Sequence, residues 1–184
     1  MHIGWDLDDV TTNLMDNLLR LYNLRYDRRA VLEDVHGWDF FTEAVHDQMR
    51  KHGYPNLEVK PESVKILQKL KDRGDRVSII TYRGPGFEKE TSRWLRENIP
   101  GLYDGLYMAG GSKRSICREL KVDVLVDDSK KQVSEVAEEG IHTVMLRTPM
   151  NRDVKGTDLI HVAENFDQIF EWIEIIGLAG GNQK

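Results

Sequence analysis

Past residue 60 the hydrophobic positions alternate between two periods. Short β-branched or apolar runs, Val77-Ser78-Ile79-Ile80-Thr81, Val124-Leu125-Val126 and Ile141 to Leu146, have the length of buried strands, and Leu106-Tyr107-Met108 is a weaker one. Between the runs, apolar residues return every third or fourth position, the spacing of a helix face. Pro61 opens a helix with Val64, Leu67 and Leu70 on one side, and Gly74 closes it. A helix from about Phe87 to Asn98 gathers Phe87, Thr91, Trp94 and Leu95. Another, after Gly110-Gly111-Ser112, carries Ile116 and Leu120. Ser129 reads as the N-cap of a helix with Val133, Val136 and Ala137 inward and Gly140 as its stop. Asn165 caps a last helix bearing Phe166, Ile169, Phe170 and Ile173, with Gly177 as its end and residues 179–184 as a flexible tail.

Repeated strand–helix units of this length predict an α/β fold, a Rossmann-like parallel sheet with right-handed crossovers and helices on both faces. Residues 12–60 break the rhythm. Leu14, Leu18 and Leu21 mark one helix, and Val45 and Met49 mark a second near Thr42 to His52. An aromatic-rich stretch ending Gly37-Trp38-Asp39-Phe40-Phe41 separates them. This segment predicts a small helical cap inserted after the first strand, over a core of residues 1–11 and 61–178.

Bulk composition narrows the chemistry. The 184 residues are 40% hydrophobic and 31% charged, a soluble globular profile. The net charge of −5 offers no general attraction to nucleic acid, so extended nucleic-acid binding is not expected. The one cysteine, Cys117, excludes an internal disulfide framework and suits a reducing compartment. No stretch has the length of a membrane span and the first residues lack a signal-peptide layout, so a cytoplasmic protein is expected.

Against this background, the acidic residues are unusual in their placement. Asp6, Asp8 and Asp9 crowd the end of the first strand, His2-Ile3-Gly4-Trp5, and Asp127-Asp128 follow a later one. Like charges at the ends of buried strands repel unless protons or a cation neutralise them, which points to a divalent metal site. In an open parallel sheet, ligands bind beyond the carboxyl ends of the strands. Thr81 and Lys113 fall at such ends too. Carboxylates with Mg²⁺, a hydroxyl and an ammonium are the parts that bind and transfer a phosphoryl group.

In order, Asp6-x-Asp8, Thr81, Lys113 and Asp127-Asp128 resemble the motifs of the haloacid dehalogenase-like superfamily. Asp6-Leu7-Asp8-Asp9-Val10, Leu32-Glu33-Asp34-Val35, Gly37-Trp38-Asp39, Ile80-Thr81-Tyr82-Arg83 and Asn151-Arg152 narrow the resemblance to the 5'(3')-deoxyribonucleotidase family and its bacterial and phage relatives. It spans nearly the whole chain, with two departures. Asp9 stands where many relatives have Gly, and Tyr82 where a smaller residue is common. The resemblance implies a Mg²⁺-dependent phosphomonoesterase acting on (deoxy)nucleoside monophosphates. Asp6 would be the nucleophile that forms an aspartyl-phosphate, and Asp8 the general acid and base. Asp6, the Asp8 backbone carbonyl and Asp127 or Asp128 would hold the metal, with Asp128 the direct ligand. Thr81 and Lys113 would bind phosphoryl oxygens, with Arg83 as a second cation.

Plainer readings stand beside these. Asp9 reads first as a carboxylate at a helix N-terminus. Lys113 competes with Arg114, and Arg83 with a surface ion pair. Trp38 is either a platform for a nucleobase or part of the cap's own core. Trp94 reads as core, Cys117 as a small buried hydrophobe, and no histidine as a metal ligand. The alternative substrates are a sugar phosphate or a nucleic-acid 3'-phosphate. The alternative class is a non-catalytic phosphoacceptor or binding module, a receiver domain among them, though the order of its acidic residues differs from that found here.

Overall fold

The computed structural model of the protein describes residues 1–181. Six strands form one parallel sheet: β1 (His2–Trp5), β2 (Arg76–Thr81), β3 (Gly105–Met108), β4 (Val124–Asp127), β5 (His142–Leu146) and β6 (Ile160–Ala163). Their spatial order is β3-β2-β1-β4-β5-β6, so the chain winds outward from β1 in both directions. In such a sheet the strand order reverses at the centre, and the crevice beyond the strand ends there is where ligands bind.

Burial alternates along the strands as the pleat requires. On one face Ile3, Trp5, Val77, Ile79, Val124 and Val126 pack with α3 (Pro61–Asp72), α4 (Glu88–Asn98) and α7 (Phe166–Gly181). On the other, Ile80 and Leu125 meet Cys117 of α5 (Arg114–Leu120) and Val136 of α6 (Lys130–Ala137). Gly4 belongs to that second face. A Cβ there would lie 3.1 Å from both Ile80 Cδ1 and Leu125 Cδ1, so side chains from the flanking strands close over the central one.

The segment after β1 folds back on itself. Thr12 and Val59 form an isolated antiparallel bridge, Lys60 N donates to Thr11 O at 2.8 Å, and Glu58 N donates to Asn13 Oδ1 at 2.9 Å. The insertion thus leaves and re-enters the core at one place. It contains α1 (Leu14–Tyr26), three short 3₁₀ turns and α2 (Glu43–Gln48), with a core of its own in which Leu14, Leu18, Val35, Phe41, Val45 and Met49 are buried. Trp94 Nε1 donates to Leu57 O at 2.8 Å and ties α4 to its exit.

Three elements differ from the sequence expectation. The edge strand β6 carries little sequence signal, because Ile160-His161-Val162-Ala163 is four residues long, interrupted by a histidine and only partly buried. The second cap helix is regular only to Gln48 and continues as a π-helical turn over Met49–Gly53. The last helix runs past Gly177 to Gly181, since a glycine ends a helix only where the chain turns into a left-handed conformation. The expected tail therefore begins inside α7, and its residues 182–184 lie outside the described residues.

Candidate active site

Trp5 pairs with Val126, and the Asp6 N–H extends this ladder by donating to Val126 O at 2.9 Å. Parallel pairing therefore sets Asp6 beside Asp127 at the sheet centre. Carboxylate oxygens of Asp6, Asp127 and Asp128 lie within 4.8 Å of one another. Lys113, at the N-terminal boundary of α5, is buried and points its ammonium between two of them, donating to Asp6 Oδ1 and, at 2.6 Å, to Asp127 Oδ2. The other oxygen of Asp127 accepts from Ser129 N at 2.9 Å. Ser129 in turn caps α6 as expected, its side chain accepting from Gln132 N.

Burial pushes the Asp6 pKa well above the carboxylate range. Lys113 pulls it back, and Asp127, Asp128 and Asp8 push it up further. Asp128 is likewise raised, by burial first and then by Asp9 and Asp127. For Lys113 burial opposes the charge, yet the facing Asp127 and Asp6 outweigh it, and the ammonium is held more firmly protonated than a free lysine. Arg114, the competing cation, lies at the surface in ion pairs with Glu138 and Glu139.

Asp8 is held apart from this trio. Arg83, buried just past β2, grips it in a fork–fork pair: Nε to Oδ2 at 2.8 Å and Nη2 to Oδ1 at 2.6 Å. Arg83 Nη1 donates to Thr91 Oγ1 at 3.2 Å, and the guanidinium lies 4.0 Å from the ring centre of Tyr54, a cap residue. Thr12 also donates to Asp8 Oδ1, at 3.2 Å. Asp9 accepts from Met15 N at 2.8 Å, in the first turn of α1, so its carboxylate serves the helix N-terminus. Its φ of 62° is left-handed, which explains why glycine is at home in this position. Burial raises its pKa to about 7, against the pull of Lys60.

A cavity of about 510 Å³ opens above these groups, between core and cap. Asp6, Asp8, Lys113, Asp127 and Asp128 line its core side and Trp38, His46 and Tyr54 its cap side. Trp38 is 48% exposed, which removes it from the cap's core, and its carbonyl accepts from His46 Nε2 at 3.1 Å. Thr81 is fully buried at the end of β2, its hydroxyl accepting from Arg83 N at 3.3 Å, and it is not among the cavity-lining residues. Cys117 is buried, and burial pushes its thiol up to about 12.

Two buried amides that hold this centre gave no sequence signal of their role. Gln132 accepts from Lys113 N at 2.8 Å and donates to Gly111 O at 3.3 Å, fixing the loop that carries Lys113. Asn151 donates to Asp128 O and Leu146 O, both at 2.8 Å, and fixes the turn that carries Asp128. Asn151 lay within the resemblance, but an amide on a helix or in a loop reads as solvated polarity until its partners are seen.

The donor set fits a hard divalent cation. Carboxylate oxygens from three residues converge, and five acids (Asp6, Asp8, Asp9, Asp127, Asp128) face four cations (Lys60, Arg83, Lys113 and the exposed Lys131), leaving an excess of negative charge. The Asp8 carboxylate is engaged by Arg83 and does not belong to that converging trio.

Fold and site together define the class. A haloacid dehalogenase-like family hydrolase from Streptococcus pneumoniae superposes over 94% of this chain and 97% of its own, with a TM-score of 0.62 at 12% identity, which shows the haloacid dehalogenase-like fold. The family described as 5' nucleotidase, deoxy (pyrimidine), cytosolic type C protein matches residues 1–175, and the chain belongs to that family and is a phosphatase. Relatives include a candidate nucleotidase of Oceanobacillus iheyensis, 19% identical over 96% of this chain and 97% of its own. A candidate 5'(3')-deoxyribonucleotidase of Chlorobaculum tepidum is 20% identical over 91% and 89%. No helix among the described residues is long and apolar enough to cross a membrane.

Proposed function

We propose that the protein is a cytoplasmic, Mg²⁺-dependent phosphomonoesterase that hydrolyses (deoxy)nucleoside monophosphates through an aspartyl-phosphate on Asp6. The observation that carries this reading is the convergence of Asp6, Asp127 and Asp128 around Lys113 at the centre of the sheet, at the floor of a cavity of nucleotide size.

Asp6 attacks phosphorus, and the bond from phosphorus to the ester oxygen breaks as Asp8 gives that oxygen a proton. Asp8 then takes a proton from the water that attacks phosphorus of the phosphorylated Asp6, which releases inorganic phosphate, frees the Asp6 carboxylate and returns Asp8 to its protonated form. Lys113, already paired with Asp6, offsets the repulsion between that carboxylate and the dianionic substrate. Arg83 directs the Asp8 carboxylate through its two parallel hydrogen bonds, and a phosphoryl oxygen reaches the same guanidinium only in competition with that pair. The Thr81 hydroxyl, buried just behind the cavity lining, accepts from Arg83 N and keeps its own O–H as the donor for a phosphoryl oxygen. Asp6, Asp127, Asp128 and the Asp8 carbonyl would hold Mg²⁺, which when bound supplies positive charge for the clustered carboxylates and the phosphoryl group. Trp38 offers a ring to the nucleobase at the cap side.

A screen of deoxy- and ribonucleoside 5'- and 3'-monophosphates against sugar phosphates, with and without Mg²⁺, tests the proposal. The expected result is Mg²⁺-dependent release of phosphate with a preference for nucleotides. Equal or faster hydrolysis of sugar phosphates contradicts the substrate assignment, and full activity in chelator contradicts the metal.

A further inference from the structure

Of the aromatic rings around the cavity, most are already engaged. Tyr54 lies beneath Arg83 and packs edge-on against Phe87, their ring centres 5.2 Å apart. Phe40 and Phe41 pack against each other and against Tyr22 inside the cap. Trp38 is tilted against His46 at 6.2 Å and leaves nearly half its surface to solvent. Tyr82 differs from all of these. It is the first residue past β2, between Thr81 and Arg83, it is 57% exposed, and among the described residues it has no hydrogen bond, ion pair or ring contact.

A single exposed tyrosine is ordinary on a protein surface. This one lines the catalytic cavity itself, from the core side, where Trp38 lines it from the cap side. Backbone on both sides of Tyr82 is fixed. Thr81 is the last residue of β2 and accepts from Arg83 N, while Arg83 is anchored on Asp8 and Thr91. The ring therefore stands on an anchored stretch of backbone one residue from the chemistry, more than half exposed and with no ring or cation partner among the described residues. A flat heteroaromatic group can satisfy such a ring by stacking, whereas a bare sugar would bring hydroxyl groups against it without partners.

We propose that Tyr82 is a specificity-determining residue: its ring stacks on the nucleobase of the substrate and, with Trp38, selects esters whose leaving group carries a planar aromatic base. This rests on the reading of the protein as a nucleotide phosphatase and deepens it by naming a residue that selects the base.

The test compares Tyr82→Ala and Tyr82→Phe with the unaltered enzyme on a deoxynucleoside 5'-monophosphate and on deoxyribose 5-phosphate, which lacks the base. Tyr82→Ala is expected to raise KM for the nucleotide on the order of tenfold, the scale of one stacked base. It should leave kcat and all constants for deoxyribose 5-phosphate within about twofold, and Tyr82→Phe should keep the nucleotide KM, since stacking needs the ring and not the hydroxyl. Equal losses on both substrates, or no loss on either, overturn the inference. If the unaltered enzyme already fails to prefer the nucleotide, the nucleotide reading itself falls, a result visible before any variant is made.

Discussion

At the core end of the cavity Asp6, Lys113 and Asp127 are buried, with Lys113 bridging the two acids and Asp127 also held by Ser129 N, whereas at the cap end Trp38 stands half in solvent, tilted against His46. The two ends face the same space but follow different physical rules. Charge that must act at a fixed distance from phosphorus is preorganised by strand register and buried amides, at a cost in repulsion among the carboxylates. Surface that must recognise a flat, largely apolar group is left unpaired until the ligand arrives. Catalytic rate and substrate choice are therefore expected to respond separately to substitution.

Lys113→Met is the strongest challenge to that separation from the core side. It leaves Asp6 and Asp127 buried without their common cation, and stranding buried charges in this way costs about 3–5 kcal/mol. We expect kcat to fall by at least about a hundredfold and the thermal midpoint to drop by several degrees, with added Mg²⁺ restoring much of the stability and little of the rate. An unchanged midpoint in the absence of metal, read by calorimetry, contradicts the electrostatic account of the site.

Trp38→Ala probes the cap side. The expected result is a rise in nucleotide KM of roughly fivefold to tenfold, with kcat on deoxyribose 5-phosphate and the thermal midpoint nearly unchanged, because the ring is half exposed. A collapse of stability would place Trp38 in the cap's core and erase the contrast between the two ends.

The smallest effect belongs to neither end. On the β5–β6 edge His161 stacks on His142 and leans on Trp172, and burial, then His142, lower its pKa below the ordinary histidine value. Below that ordinary value the unfolded chain binds a proton that the folded chain resists, so this group's contribution to stability is complete at higher pH and is lost as pH falls through the lowered value. Relative to His161→Phe, the unaltered protein should lose a modest amount of midpoint on acidification below about pH 6.5, a difference from which the opposite, stabilising protonation of Asp6, Asp9 and Asp128 common to both proteins cancels. A variant with an unaltered pH profile removes the pair as its source.

The fold was legible where periodicity was strong. Val77–Thr81 and Val124–Val126 announce themselves because buried parallel strands need continuous β-branched residues. Ile160–Ala163 did not, since an edge strand has neighbours on one side only and tolerates His161. In the site, Asp6, Lys113 and the Asp127–Asp128 pair stood out because acids and an ammonium at strand ends have few structural uses, and the fold brings them together. What stayed hidden were the supports. The amides of Gln132 and Asn151, and the cation–π contact of Arg83 on Tyr54, depend on partners more than a dozen residues away in the chain and carry no local pattern. Asp9 is the instructive intermediate. Its place at a helix N-terminus was readable, while its left-handed backbone required coordinates.

The central claim concerns which carboxylate takes the phosphoryl group. Rapid acid quench of a single turnover with a deoxynucleoside monophosphate labelled in its phosphate, followed by peptide mapping, examines it directly. The account predicts label on the peptide that contains Asp6, absent from Asp6→Asn protein that is folded but inactive. Turnover with no labelled protein, label on a different peptide, or near-normal hydrolysis by Asp6→Asn would contradict it.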